Sequence, residues 1–113
     1  MHELSLCQGI LDAIESEART QRFSRVRGVQ LEIGALAGVA VEALRFGWEA
    51  VSAGTLAEHA RLDILDVPGR AWCFDCQCNV EITQYYDSCP LCQGHKLQVC
   101  GGEQLKIKHL EVE

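Results

Sequence analysis

"AWCFDCQCNVEITQYYDSCPLCQGHKL", residues 71–97, is the stretch on which the reading of this chain turns. Cys73 and Cys76 form one Cys-x2-Cys pair, Cys89 and Cys92 form a second, and twelve residues separate them. Two intervening residues let both thiolates of a pair turn onto one ion in a tight knuckle. Two knuckles joined by a short hairpin complete a tetrahedral set of four sulfurs. The connector is long enough for that hairpin, and "NVEITQYY" within it is rich in strand formers. Zinc is the default ion, because four thiolates satisfy it and it brings no redox chemistry. With all four positions filled by protein, such a site is structural, not catalytic. A redox Cys-x2-Cys pair usually stands singly at a helix start, so doubling within a hairpin argues against that chemistry.

Three cysteines lie outside the set. Cys78 sits close enough to exchange with Cys76 as a ligand. Cys100 reads as a free thiol, and Cys7 as a buried thiol on an apolar helix face. His95, three residues beyond Cys92, reads first as a solvated or hydrogen-bonding side chain. Its sharper reading is an alternate zinc ligand, called in when pH or metal loading changes.

Outward from the module, the pattern becomes that of an ordinary folded domain. From Leu4 to about Ala18 the apolar residues Leu4, Cys7, Ile10, Leu11, Ile14 and Ala18 keep helical spacing. In "GVQLEIGAL", Val29, Leu31 and Ile33 alternate with Gln30 and Glu32, which predicts a strand with one buried face. "VEALRFGWEAVSAGT" predicts a second helix, ended near Gly54. "ARLDILDVP" predicts a second strand, closed by Pro68-Gly69. After the module, "EQLKIKHLEVE" alternates again, with its phase slipping between Ile107 and Leu110. The order is helix, strand, helix, strand, cysteine module, strand. The expected fold class is α/β, in the two-layer α+β sense. The α/β domain takes residues 1–69 and 101–113, and a zinc-ribbon-like insertion takes residues 70–100. The last strand returns to the first sheet, since alone it would be unstable.

Bulk properties narrow the function. The chain has 113 residues, 48% of them apolar, enough for one real core. A net charge of −6 disfavours nucleic acid as the main partner, because phosphate binding needs a basic face. No apolar run is long enough for a membrane span, and Glu3 precedes the apolar stretch where a secretion signal would carry basic residues. The expected compartment is the cytoplasm, where seven cysteines point to metal or redox chemistry and not to disulfides.

The other unusual stretch is the beginning, Met1, His2 and Glu3, directly before the helical pattern. The amine of Met1, the amide nitrogen of His2 and its imidazole can bind one ion in a fused, nearly planar chelate. The amide of Glu3 or its carboxylate supplies a fourth donor. Nitrogen-rich planar sets suit Ni(II) and Cu(II).

"MHELSLCQ", "LEIGAL", "PGRAWCFDCQ", "CPLCQGHKL" and the "EV" near the end occur in order along essentially the whole chain. Together they resemble the HypA/HybF family of nickel-incorporation proteins for NiFe hydrogenase maturation. The resemblance implies two helices on a three-stranded mixed sheet, with a zinc domain inserted before the last strand. It implies nickel bound at Met1, His2 and Glu3, and zinc held by Cys73, Cys76, Cys89 and Cys92. It implies a non-enzymatic metallochaperone that works with the HypB GTPase and delivers Ni(II) to the hydrogenase large subunit, with urease maturation factors as further partners in some members. Cys78 is additional to that pattern. Two competing readings are a zinc-ribbon nucleic-acid module, opposed by the acidic charge, and a zinc-ribbon interaction scaffold without direct nickel transfer.

Overall fold

The computed structural model describes residues 2–113. Its elements are α1 (His2–Gln21), β1 (Val26–Gly34), α2 (Val41–Ser52), β2 (Arg61–Val67), β3 (Gly69–Cys73), β4 (Cys78–Ile82), β5 (Leu97–Gly101) and β6 (Leu105–Val112). They form two three-stranded sheets, ordered β2-β1-β6 and β4-β3-β5. This is the expected mixed α/β class with two helices. No helix of the described residues is long and apolar enough to cross a membrane. The chain divides into two compact units. The first holds Met1–Leu31, Val39–Ile64 and Ile107–Glu113; the second holds Glu32–Gly38 and Leu65–Lys106.

In the first unit, α1 buries Cys7, Ile10, Leu11 and Ile14, the stripe that helical spacing predicts. β1 buries Val26, Val29 and Leu31, and α2 contributes Leu44 and Trp48. Each fully buried aliphatic side chain of this kind contributes about 1.5–3 kcal/mol. Helices α1 and α2 approach closely at Gly47, where an added Cβ would lie 3.3 Å from both Cys7 Sγ and Leu4 Cδ2. The Cys7 thiol donates to the Leu44 carbonyl at 3.3 Å, completely buried. Burial, reinforced by the Glu3 carboxylate, pushes that thiol up from its ordinary range. It behaves as the packing residue its position in the stripe suggests.

Gly9 has no structural reason to be glycine: it lies within α1, and a Cβ there would meet nothing within 4 Å. Gly9→Ala is therefore expected to stabilise the fold by about 0.5–1 kcal/mol, from helix propensity and a less flexible unfolded chain. Thermal or denaturant unfolding followed by circular dichroism measures it; a lower midpoint would contradict the packing described.

In the second unit, β3 is the central strand and pairs antiparallel with both neighbours. Ala71 lies opposite Val80 on one side and Val99 on the other, and Cys73 opposite Cys78 and Leu97. A register shift interrupts the β3–β5 ladder between Arg70 and Ala71. Leu36, Ala71, Cys73, Val80, Ile82 and Cys89 make its small core. Leu36 comes from the loop after β1, and its N–H donates to the Gly102 carbonyl at 2.8 Å. That crossing is backbone against backbone. An added Cβ on Gly34 would lie 2.1 Å from Gly102 O, and Gly102 itself has φ +80°, a conformation side chains rarely tolerate.

Two strands differ from the sequence expectation. The module has no simple hairpin: Gly69–Cys73 and Leu97–Gly101 complete a three-stranded sheet. Both are five residues long, too short for alternation to stand out. In β6 the slip is present: Leu105, Ile107 and Leu110 are half-buried while Lys108 and His109 are both exposed.

Candidate metal centres

The four sulfurs of Cys73, Cys76, Cys89 and Cys92 converge, all within 4.8 Å of one another. The first pair brackets the turn after β3. The Gln77 N–H donates to the Cys73 carbonyl at 2.7 Å, and the Cys76 N–H points at Cys73 Sγ at 3.4 Å. The second pair repeats the device: Gln93 N–H donates to the Cys89 carbonyl at 2.8 Å, and Leu91 N–H points at Cys89 Sγ at 3.4 Å. Gln77 and Gln93 both take positive φ, 54° and 62°, as each chain segment turns back on itself. Two chemically alike knuckles thus face one another.

The geometry fits a zinc-sized ion. A tetrahedron with metal–sulfur bonds of about 2.3 Å has edges of about 3.8 Å. Cys73 and Cys92 Sγ are 3.8 Å apart, and Cys76 and Cys89 Sγ are 3.9 Å apart. The electrostatics also fit. Backbone N–H groups of Cys92 and Leu91 hold the Cys89 thiol down at about 7. Contact with Cys92, then desolvation, pushes the Cys76 thiol up. Four crowded sulfurs do not all ionise by themselves; a cation among them removes that conflict.

Among the described residues this is the one cluster of metal-ligating side chains. Cys78 and His95 do not belong to it. Cys78 is half-buried at the start of β4, opposite Cys73 in the register, and His95 is exposed. Cys100 is exposed and its thiol reaches Asn79 Oδ1 at 3.5 Å.

At the amino-terminal end, His2 and Glu3 form the first turn of α1; Met1 lies outside the described residues. His2 Nε2 is 3.9 Å from Glu3 Oε2, with the imidazole largely exposed. Glu3 Oε2 also accepts the Ala40 N–H at 3.1 Å. Ala40 precedes α2 and has no side-chain cap of its own, so a carboxylate from one helix serves the start of the other. That hydrogen bond holds the Glu3 carboxyl below its usual range. Its stabilising contribution is present above the ordinary carboxylate range and is lost as pH falls through the lowered value. The sequence carries no sign of this pairing, because thirty-seven positions separate Glu3 from Ala40.

Residues 1–112 match the family described as "Hydrogenase/urease nickel incorporation, metallochaperone, hypA". The chain belongs to the HypA family. The hydrogenase maturation factor HypA of Azotobacter chroococcum mcd 1 is 55% identical over all of both chains. That of Azotobacter vinelandii is 53% identical over the same full span. The solution structure of the nickel metallochaperone HypA from Helicobacter pylori is similar in fold, with a TM-score of 0.71 at 20% identity, covering 97% of this chain and 96% of that one. HypA proteins are thus nickel-incorporation metallochaperones of hydrogenase maturation, and this chain carries the family's fold with a four-cysteine metal-binding cluster.

Proposed function

We propose that this chain is a carrier, not an enzyme, that takes up Ni(II) through Met1, His2 and Glu3 and passes it to the large subunit of a NiFe hydrogenase. Cys73, Cys76, Cys89 and Cys92 hold a structural zinc. The observation that carries the reading is the full-length family match to nickel-incorporation proteins, with His2 and Glu3 placed side by side on the first turn of α1. The HypB GTPase, the large subunit and, in some settings, urease maturation factors are the proposed partners, and the cytoplasm is the proposed compartment. The α/β domain of residues 1–69 and 101–113 carries nickel, and residues 70–100 carry zinc. His95 is the proposed alternate zinc ligand.

The chemistry suits a carrier. Cargo is the metal ion itself. A chelate at a chain end captures through several nitrogens yet stays open on one side, so an incoming partner group can replace a donor. The His2 imidazole must be neutral to bind, and a ligating amide must lose its proton. Nickel affinity therefore falls as pH drops.

Glu3 has two separable tasks, and two substitutions part them. Glu3→Gln retains an oxygen to accept the Ala40 N–H but removes the carboxylate charge. Glu3→Ala removes both. The expected result is near-native thermal stability for Glu3→Gln and a lower melting temperature for Glu3→Ala. Nickel titration by calorimetry then reads the coordination role alone, in the Gln variant. Unchanged nickel affinity there assigns the fourth donor to the backbone instead of the carboxylate.

A further inference from the structure

Helix α2 has two apolar faces, and only one of them packs. Leu44, Gly47 and Trp48 lie inward. Ala43, Phe46 and Ala50 are exposed, and helical spacing sets them on one stripe of the outer face. Phe46 is 77% exposed. Core packing does not call for a phenylalanine there, and neither does helix propensity, since alanine or leucine forms helix better. The stripe continues onto α1. Gly47, around which Ala43, Phe46 and Ala50 are grouped on the helix surface, is the notch where the two helices meet. A Cβ on it would lie 3.3 Å from Leu4 Cδ2, and Leu4 is itself 50% exposed. Leu4, Ala43, Phe46 and Ala50 thus make one apolar strip across two helices.

The rim of the strip is acidic. Glu42 and Glu49, four residues before Phe46 and three after it, are exposed beside the ring. Among the described residues neither forms an ion pair. The one cation of α2, Arg45, is committed elsewhere: its Nη1 donates to the Leu62 carbonyl at 2.8 Å. A shallow apolar strip along two helices takes another helix, apolar face down. Two uncompensated carboxylates beside an open aromatic ring select cations at the border of that face, because the carboxylates attract ammonium and guanidinium groups and the ring accepts them over its plane. We propose that the strip of Leu4, Ala43, Phe46 and Ala50 is a docking surface for a helix of a partner protein whose apolar face is bordered by lysine or arginine. The surface does not depend on what Met1, His2 and Glu3 bind, although Leu4 sets a docked helix next to that turn.

A designed helix is the probe: about 18 residues, with leucine at i, i+3, i+4 and i+7 and lysine at the flanking positions. It is titrated, up to about 1 mM, into the isotope-labelled, zinc-loaded full chain and followed by amide chemical shifts. The amides of Leu4, Ala43, Phe46 and Ala50 are expected to shift first. A peptide with glutamate in place of lysine, and one of scrambled order, are expected to bind at least about tenfold more weakly. Phe46→Ser is expected to weaken the lysine peptide about tenfold or more, and Ala43→Arg, which sets a bulky cation on the strip, to a similar extent. Glu42→Gln combined with Glu49→Gln is expected to flatten the salt dependence of binding. All four positions are exposed, and circular dichroism shows each variant folded. The proposal is overturned by a lysine peptide that does not bind or that shifts amides outside the strip. Equal binding of the glutamate peptide overturns it, and so does unchanged affinity in folded Phe46→Ser and Ala43→Arg. Shifts at Phe46 that grow with protein concentration, without peptide, give the strip to a second copy and overturn it equally.

Discussion

Removing the metal from the four-cysteine site is expected to unfold the unit formed by Glu32–Gly38 and Leu65–Lys106. Its core contains six buried residues, and two of them, Cys73 and Cys89, belong to the cluster of sulfurs that could hold the ion. Ala71 adds little apolar area. What remains is Leu36, Val80 and Ile82, each almost fully buried, with the partly buried Leu97 and Val99 packed against them, on strands only five residues long. That core cannot offset the conformational entropy of the ordered chain around it (about 1–2 kcal/mol for the backbone of each residue). A structural zinc contributes on the order of 10 kcal/mol, the larger share of what holds such a module. A strong chelator, or Cys73→Ser, should abolish amide protection across β3, β4 and β5. Trp72, a little over one-third exposed on β3, reports the same event by fluorescence. Persistent protection of the Ala71 and Val80 amides in metal-free protein would show that the sulfur cluster is incidental to folding.

Cys78→Ser is the matched control for Cys73→Ser. Cys78 lies next to the site without joining it, so Cys78→Ser should leave zinc bound and β3–β5 protected. Contrast between Cys73→Ser and Cys78→Ser is therefore sharper than either variant alone.

Legibility in the sequence followed the length of each signal. The α1 stripe runs over several turns, and Cys7, Ile10, Leu11 and Ile14 are buried where 3.6-residue spacing places them. Val29, Leu31 and Ile33 alternate long enough to mark β1 as a half-buried strand. The clustering of Cys73, Cys76, Cys89 and Cys92 was legible because two-residue spacing has a local mechanical meaning. Short elements and distant contacts were not. β3 and β5 are too brief to show a period, and Leu36 reads as loop although it fills the core of the zinc unit. Nothing local to Glu3 announces Ala40, and nothing local to Gly34 announces Gly102; both contacts exist only once the chain has crossed itself.

Nickel binding should be the property most sensitive to the first three residues. His2→Ala removes the imidazole, and with it one corner of the proposed fused chelate, whose rings depend on one another. The expected loss in Ni(II) affinity is about 100-fold or more, since disturbing even a ligand's hydrogen-bonding partner commonly costs about 10–100-fold. Adding one residue before Met1 tests the same chelate without touching any side chain. The former terminal amine becomes an amide, and His2 shifts to the third position, so the five- and six-membered rings cannot close as before. Equal, severe losses in the two proteins implicate the amine and the imidazole together. Neither change reaches the hydrogen bond from Ala40 to Glu3, so melting temperature should stay near native and separate lost coordination from lost fold. The proposed site would sit on an exposed imidazole beside a tethered carboxylate, whose Oε2 lies 3.9 Å from His2 Nε2; the six-membered ring of the chelate closes through the other ring nitrogen, Nδ1. Undiminished nickel affinity in the extended protein would transfer the binding function away from the chain start, and would leave the interaction scaffold as the account of what this protein does.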